Sequence, residues 1–246
     1  MEAAQQCDLV VFAAHPDDAE LTCGGLLLVS KAKGWKTAVV DMTRGELGTR
    51  GTVAIRAAEC EAAAKVLGLT TRLNLGMPDG GVRDTDEGRR AVVRVIRTLK
   101  PRVVVAPPPR GDHHPDHIGT GDLVQKSFYL SGIRKFVPEL EAHRPRVLIH
   151  YLGSRVRRPT LIVDVSPVIE GRRAAVACHA SQVGPPQPGE PPIRISHPDF
   201  LDAVDARLRY FGWTIGVRYG EGFMVETPLP VADLVGLFEI EPYKRK

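Results

Sequence analysis

Apolar residues along this chain gather in short runs rich in Val, Ala and Ile, and between the runs they recur every three or four positions. A short apolar run bounded by turn residues reads as a buried strand, and a recurrence of three to four as a helix with one apolar face. DLVVFAAH (8–15) is the first predicted strand, followed by a helix from near Asp18 to Lys33 that closes at Gly34. TAVVDMT (37–43) and VAIRAAECEAAAKVLG (53–68) repeat the pair, the second helix ending at Gly68. TRLNLG (71–76) predicts a third strand, GRRAVVRVIRTLK (88–100) a helix that stops before Pro101, and RVVVAPP (102–108) a fourth strand. This rhythm predicts an α/β fold with a mostly parallel sheet and helices on both faces.

The second half continues less regularly. Residues 117–130, 170–182 and 198–211 predict helices, VLIHYL (147–152) and TLIVDVS (160–166) strands, and GWTIGVRYGEGF (212–223) a final strand or hairpin. GPPQPGEPP (184–192) carries five prolines in nine residues and reads as a loop, a stiff surface connection rather than a substrate lid. No internal repeat interrupts the chain, and 246 residues suit one domain spanning 1–246.

Two stretches break the apolar pattern. FAAHPDDAELTCGG (12–25) sets His15, Asp17 and Asp18 directly after the first strand, and GDHHPDHIG (111–119) repeats the motif after the fourth. In an open parallel sheet, ligands bind beyond the carboxyl ends of the strands. Those two loops, and the 43–51 loop after the second strand, therefore converge on one sheet edge.

A catalytic zinc site takes three ligands from His, Asp and Glu and leaves a position open for water. His15 and Asp18, three apart on a turn, can chelate one ion, and His117 from the distant loop completes the set. His113 stands as an alternative ligand. Asp17, next to a ligand, is placed to act as general base. His114 and Asp116 remain, a pair able to stabilise a developing oxyanion or to protonate a leaving group. Taken singly, each histidine reads better as a surface or capping residue than as a ligand, and Asp17 and Asp18 as N-caps of the following helix. Capping does not account for HPDD and HPDH recurring on matched loops.

Composition narrows the partner. A net charge of +4 and a pI near 8.9 suit an anionic small molecule, and the scattered arginines do not form a nucleic-acid surface. Cys7, Cys23, Cys60 and Cys178 lack C-x-x-C spacing, which predicts free thiols in a reducing cytoplasm. Residues 1–8 carry no Lys or Arg, unlike a signal peptide, and no apolar run is long enough to span a bilayer.

HPDDAELTCGG and HPDH, together with MTRGELGTRGT (42–52), NLGMPDGGV (74–82), VDVS (163–166), HASQ (179–182) and YGEGF (219–223), resemble the LmbE/PIG-L family of zinc-dependent N-acetylglucosamine deacetylases. The GELGTRGT and EGF elements resemble in particular the bacillithiol branch, which acts on N-acetylglucosaminyl-malate. The resemblance implies a Rossmann-like fold and zinc (Zn2+) on His15, Asp18 and His117, with Fe2+ as the alternative ion. It further implies Asp17 as base, His114 oriented by Asp116, and Arg56 and Asp79 in contact with an N-acetylglucosaminyl substrate. A homo-oligomer, in this branch often a hexamer, also follows from it. One position departs: the branch often has DRHPDH, whereas His113 stands here before HPDH, with Arg110 three residues upstream as a compensating cation. His113 is thus a substrate-facing position on which specificity turns. Competing readings are a deacetylase of another glycan or glycolipid, against which Arg44, Arg50 and Arg56 weakly favour an anionic group such as malate, and a non-catalytic metal- or sugar-binding module. A two-metal phosphatase needs more carboxylates than these loops supply.

Overall fold

The computed structural model describes residues 6–153 and 158–233. Residues 1–5, 154–157 and 234–246, within the expected 1–246 domain, lie outside the described residues.

Seven strands form one sheet in the order β3-β2-β1-β4-β5-β7-β6. They are β1 (Leu9–Ala13), β2 (Thr37–Thr43), β3 (Thr71–Met77), β4 (Val103–Ala106), β5 (Val147–Tyr151), β6 (Leu161–Asp164) and β7 (Gly220–Met224). The first five are parallel, and β7 runs antiparallel between β5 and β6. The sheet is therefore mixed and mostly parallel.

Why the runs are strands is visible in β1, whose five residues are all buried. Val10 and Phe12 pack towards α3 (Asp86–Leu99) and α4 (Pro115–Leu130), while Leu9, Val11 and Ala13 pack towards α1 (Asp18–Ala32), α2 (Val53–Leu67) and α5 (Ile169–Ala177). A strand covered on both faces has no polar side, hence its unbroken apolar run. Helix α2 starts at Thr52, whose side chain accepts from the Ile55 N–H, and ends at Gly68 in the left-handed region (φ 62°).

The late elements depart from the sequence expectations. The predicted helix 170–182 is two, α5 and the short α6 (Ala180–Val183), broken at Cys178–His179. Helix α7 (Asp199–Thr214) runs on through residues assigned to the final strand, so only Gly220–Met224 is extended. Residues 184–192 form an irregular loop pinned by Arg50, which donates to Gly184 O, Pro185 O and Glu190 Oε2 at 3.0 Å each. Among the described residues no helix is long and apolar enough to cross a membrane.

Strand order reverses between β1 and β4, which makes their carboxyl ends the topological switch point of the sheet. The two His/Asp loops leave from those ends. Helix α4 is drawn close to this edge by glycine: a Cβ at Gly119 would lie 1.9 Å from Val82 O, and one at Gly121 2.6 Å from Pro107 O. Only bare backbone permits that approach.

Candidate metal centre and active site

Asp18 opens α1, and one of its carboxylate oxygens, Oδ2, organises the cluster. It lies 3.4 Å from His15 Nδ1 and 3.3 Å from His117 Nε2. Ligand atoms bonded tetrahedrally to one zinc at about 2.0–2.1 Å stand about 3.3 Å apart, the spacing that Asp18 Oδ2 keeps from each histidine nitrogen.

The far nitrogens of both histidines meet carboxylates. His15 Nε2 is 3.1 Å from Asp79 Oδ1 and 3.2 Å from Asp116 Oδ2, and His117 Nδ1 is 3.2 Å from Asp112 Oδ2. Such pairing fixes the tautomer, leaving the metal-facing nitrogen with its lone pair. The orienting carboxylates are themselves held by backbone. Asp116 accepts from Gly80 and Val82 N–H (2.7 and 3.0 Å), Asp112 from His113 and His114 N–H (2.6 and 3.2 Å), and Asp79 from Leu47 N–H (2.9 Å). Two groupings among the described residues, His15 with His114 and His117, and His15 with Asp79 and Asp116, have ligand atoms close enough to share an ion. Asp18 Oδ2 likewise accepts a backbone N–H, that of His15 at 2.9 Å, so Asp18, Asp79 and Asp116 are all anchored by backbone, and His114 is held by its cap bond. Two histidines and one carboxylate suit zinc and ferrous iron alike.

The electrostatics ask for a cation. Without one, burial works against protonating the histidines, yet the charge and hydrogen bonds of Asp18, with Asp112 for His117, outweigh it. The His15 pKa rises to about 9 and that of His117 to about 11. Five aspartates converge here (Asp17, Asp18, Asp79, Asp112 and Asp116), more than the two loops suggested, because Asp79 comes from the turn after β3.

Asp17 precedes α1 with φ 116°, a left-handed conformation costly for a residue with a side chain. Its side chain makes no cap hydrogen bond, so capping does not explain it. Burial, then the Asp18 charge, raises its pKa against the pull of Arg56. A divalent ion beside Asp18 would draw it down again. Arg56 holds this turn from behind: its guanidinium donates to Pro16 O (2.5 Å), Gly45 O (3.2 Å) and Asp17 Oδ2 (3.4 Å). Arg56, which the resemblance implies as a substrate contact, is buried, and its geometry is that of a clamp on Asp17.

His114 is the N-cap of α4, its Nδ1 accepting from the Asp116 N–H at 3.2 Å. The ring stands 4.6 Å from that of His15, centroid to centroid. Burial and the neighbouring histidines lower its pKa, so it is neutral and carries its proton on Nε2. Asp116 thus meets His114 through its backbone N–H, while its carboxylate faces His15.

Behind Asp17 lies a buried network that sequence reasoning missed. Arg72 bonds Glu20 (2.5 Å) and both oxygens of Asp41 (2.7 and 3.0 Å), and His179 Nε2 approaches Glu20 Oε2 at 3.3 Å. The available signal was Asp41 itself, a charge inside the apolar run TAVVDMT that demands a buried partner.

A cavity of about 700 Å3 opens over the cluster. His15, Asp17, Asp18, Asp79, His114 and His117 line it together with Arg56, His113 and Tyr151, and the 194–207 segment adds Arg194, Ile195, Phe200, Val204 and Arg207. Arg110 is exposed and does not line the cavity; the cation beside His113 is Arg194, its Nη1 3.5 Å from His113 Nε2.

A family model described as PIG-L, GlcNAc-PI de-N-acetylase, matches residues 10–128, the span that supplies every member of the metal cluster. The chain belongs to the LmbE/PIG-L family. As a member it is an enzyme of the N-deacetylase class, a hydrolase of N-acetyl amide bonds. A diacetylchitobiose deacetylase of Thermococcus kodakarensis is 28% identical over 85% of this chain and 79% of its own. A 1D-myo-inositol 2-acetamido-2-deoxy-alpha-D-glucopyranoside deacetylase of Rhodococcus opacus is 29% identical over 71% and 81%. Among solved structures, the conserved protein TT1542 of Thermus thermophilus superposes with a TM-score of 0.84 at 38% identity, covering 93% of this chain and 99% of that one. LmbE/PIG-L membership accounts for the mostly parallel sheet and the HPDD/HPDH pairing together.

Proposed function

We propose that this deacetylase removes the acetyl group from N-acetylglucosaminyl-malate, releasing acetate and a glucosamine conjugate in bacillithiol biosynthesis. The observation that carries the deacetylase chemistry is Asp18 Oδ2 placed against His15 Nδ1 and His117 Nε2, at 3.4 and 3.3 Å, with Asp17 next to it in the turn. The GELGTRGT and EGF elements support malate as the conjugate. A second reading, a chitobiose-type disaccharide, is favoured by the Thermococcus relative.

His15, Asp18 and His117 would hold a divalent cation, which when bound would supply Lewis acidity to a water and to the acetyl carbonyl. Asp17 accepts the proton of the attacking water as the new O–C bond forms. Negative charge then collects on the acetyl oxygen, where the Nε2–H of neutral His114 donates to it. The C–N bond breaks as the amine takes up the proton held by Asp17. Arg56 keeps Asp17 at its station throughout, and Phe200 and Val204 give the sugar an apolar wall.

Free-amine release by zinc-loaded protein from N-acetylglucosaminyl-malate, diacetylchitobiose and N-acetylglucosamine tests this directly. Preference for the malate conjugate, abolished by a chelator and restored by zinc, is expected. Preference for diacetylchitobiose would move the enzyme to glycan turnover, and release from none would leave a binding module. The four free cysteines support a cytoplasmic setting. The homo-oligomer implied by the resemblance is read by sedimentation velocity.

A further inference from the structure

Two arginines lining the cavity lie outside the family-model match and have no role in the chemistry above. Arg207, on α7, donates one N–H to Gly153 O at 2.6 Å, and Arg194, in the 3₁₀ turn Arg194–Ser196, meets His113. Neither has a carboxylate partner among the described residues.

A guanidinium carries five N–H donors, so Arg207 faces the cavity with most of them unspent. Glu221, the carboxylate whose field reaches it, is committed elsewhere. Glu221 accepts from Gly25 N–H (2.8 Å), Leu26 N–H (2.7 Å) and Arg172 Nε (2.9 Å). Burial and the nearby Arg172 charge weigh against the Arg207 cation. A partly desolvated cation without a counter-charge is unfavourable unless a ligand completes it.

Arg207 also sits next to the reaction centre. Its acceptor Gly153 packs so closely on Asp112 that a Cβ there would lie 2.4 Å from Oδ2, and Asp112 orients His117. The arginines named earlier as candidates for an anion do not compete: Arg44 is exposed and does not line the cavity, Arg50 pins the 184–190 loop and Arg56 clamps Asp17.

We propose that Arg207 and Arg194 form the subsite that reads a carboxylate on the group attached to the sugar, and so set specificity for an anionic conjugate. This rests on the N-acetylglucosaminyl reading above. The planar fork of arginine matches a carboxylate in two parallel hydrogen bonds. With His113 in place of the arginine often found before HPDH, the cation comes from the C-terminal segment instead.

The test is steady-state kinetics of zinc-loaded wild type, R207M, R194M and R207K on N-acetylglucosaminyl-malate and neutral diacetylchitobiose. A charge-assisted hydrogen bond is worth enough to lower the ratio of kcat/KM between the two substrates by about 10- to 100-fold in each Met variant. The loss is expected mainly in KM, with partial recovery in R207K. Equal losses on both substrates would mark a structural role and overturn the proposal. Arg194 is exposed, so R194M tests it even if R207M misfolds. Should wild type cleave neither substrate, the catalytic reading fails and binding decides the subsite. Protection of wild type by L-malate against thermal unfolding, lost in R207M and R194M, would support it. Protection that is absent, or equal in the variants, would overturn it.

Discussion

Asp112→Asn isolates a carboxylate that touches no metal and yet should govern metal affinity. Asp112 Oδ2 faces His117 Nδ1 at 3.2 Å, while Oδ1 accepts the N–H groups of His113 and His114. Asparagine can keep the two backbone bonds only by presenting its NH2 to Nδ1. A donor there favours the tautomer with the proton on Nε2, the nitrogen 3.3 Å from Asp18 Oδ2 that must offer its lone pair to the ion. Flipping the amide restores an acceptor to His117 but turns the NH2 against two backbone N–H groups. Either way one set of hydrogen bonds is lost. Removing a carboxylate behind a ligating imidazole costs about 10- to 100-fold in metal affinity, or about 1.4–2.7 kcal/mol. Competition with a chromophoric zinc chelator measures this directly, and turnover at saturating zinc separates occupancy from chemistry. Zinc binding by D112N as tight as wild type, with H117A unable to bind, would refute the orienting role.

Asp17→Asn should retain zinc, measured by metal analysis, and lose about 10²- to 10⁴-fold in kcat; near-full activity would remove Asp17 as base. Glu20 carries a separable part of the acid dependence of stability: burial opposes its charge, but Arg72 and His179 prevail and pull its pKa from 4.5 to about 2. A depressed carboxyl contributes stability above its unfolded value and loses it as pH falls, here between 4.5 and about 2. The contribution at neutral pH is up to about 3 kcal/mol, and urea unfolding of wild type and Glu20→Gln should converge across that window. A gap that stays constant with pH would place its source elsewhere. Gly119→Ala drives a Cβ into Val82 O and should destabilise by about 1–3 kcal/mol, read from the urea midpoint; an unchanged midpoint would mean the α4 contact is loose.

The alternation of apolar runs with helical periodicity was sufficient to predict the parallel half of the sheet, because strands buried on both faces leave an unbroken apolar signature. The same logic placed His15, Asp17, Asp18 and His117 on one edge, since the strand ends that carry them lie at a reversal of strand order that the βαβ rhythm implies. Local sequence was silent where partners come from afar. The direction of β7 and the break at His179 depend on partners fifty or more residues away, β5, β6 and Glu20, and the length of α7 on its packing against β7, while their own residues satisfy several conformations equally. Roles within the site were also undecided by type and spacing. Asp116 could face His114 or His15, and only the backbone N–H groups of Gly80 and Val82 settle it for His15. Arg56 and Arg207 both look like surface arginines in sequence. Tertiary structure turns one inward onto Asp17 and leaves the other facing the cavity with its charge unmatched, because burial and pairing are properties of the whole fold.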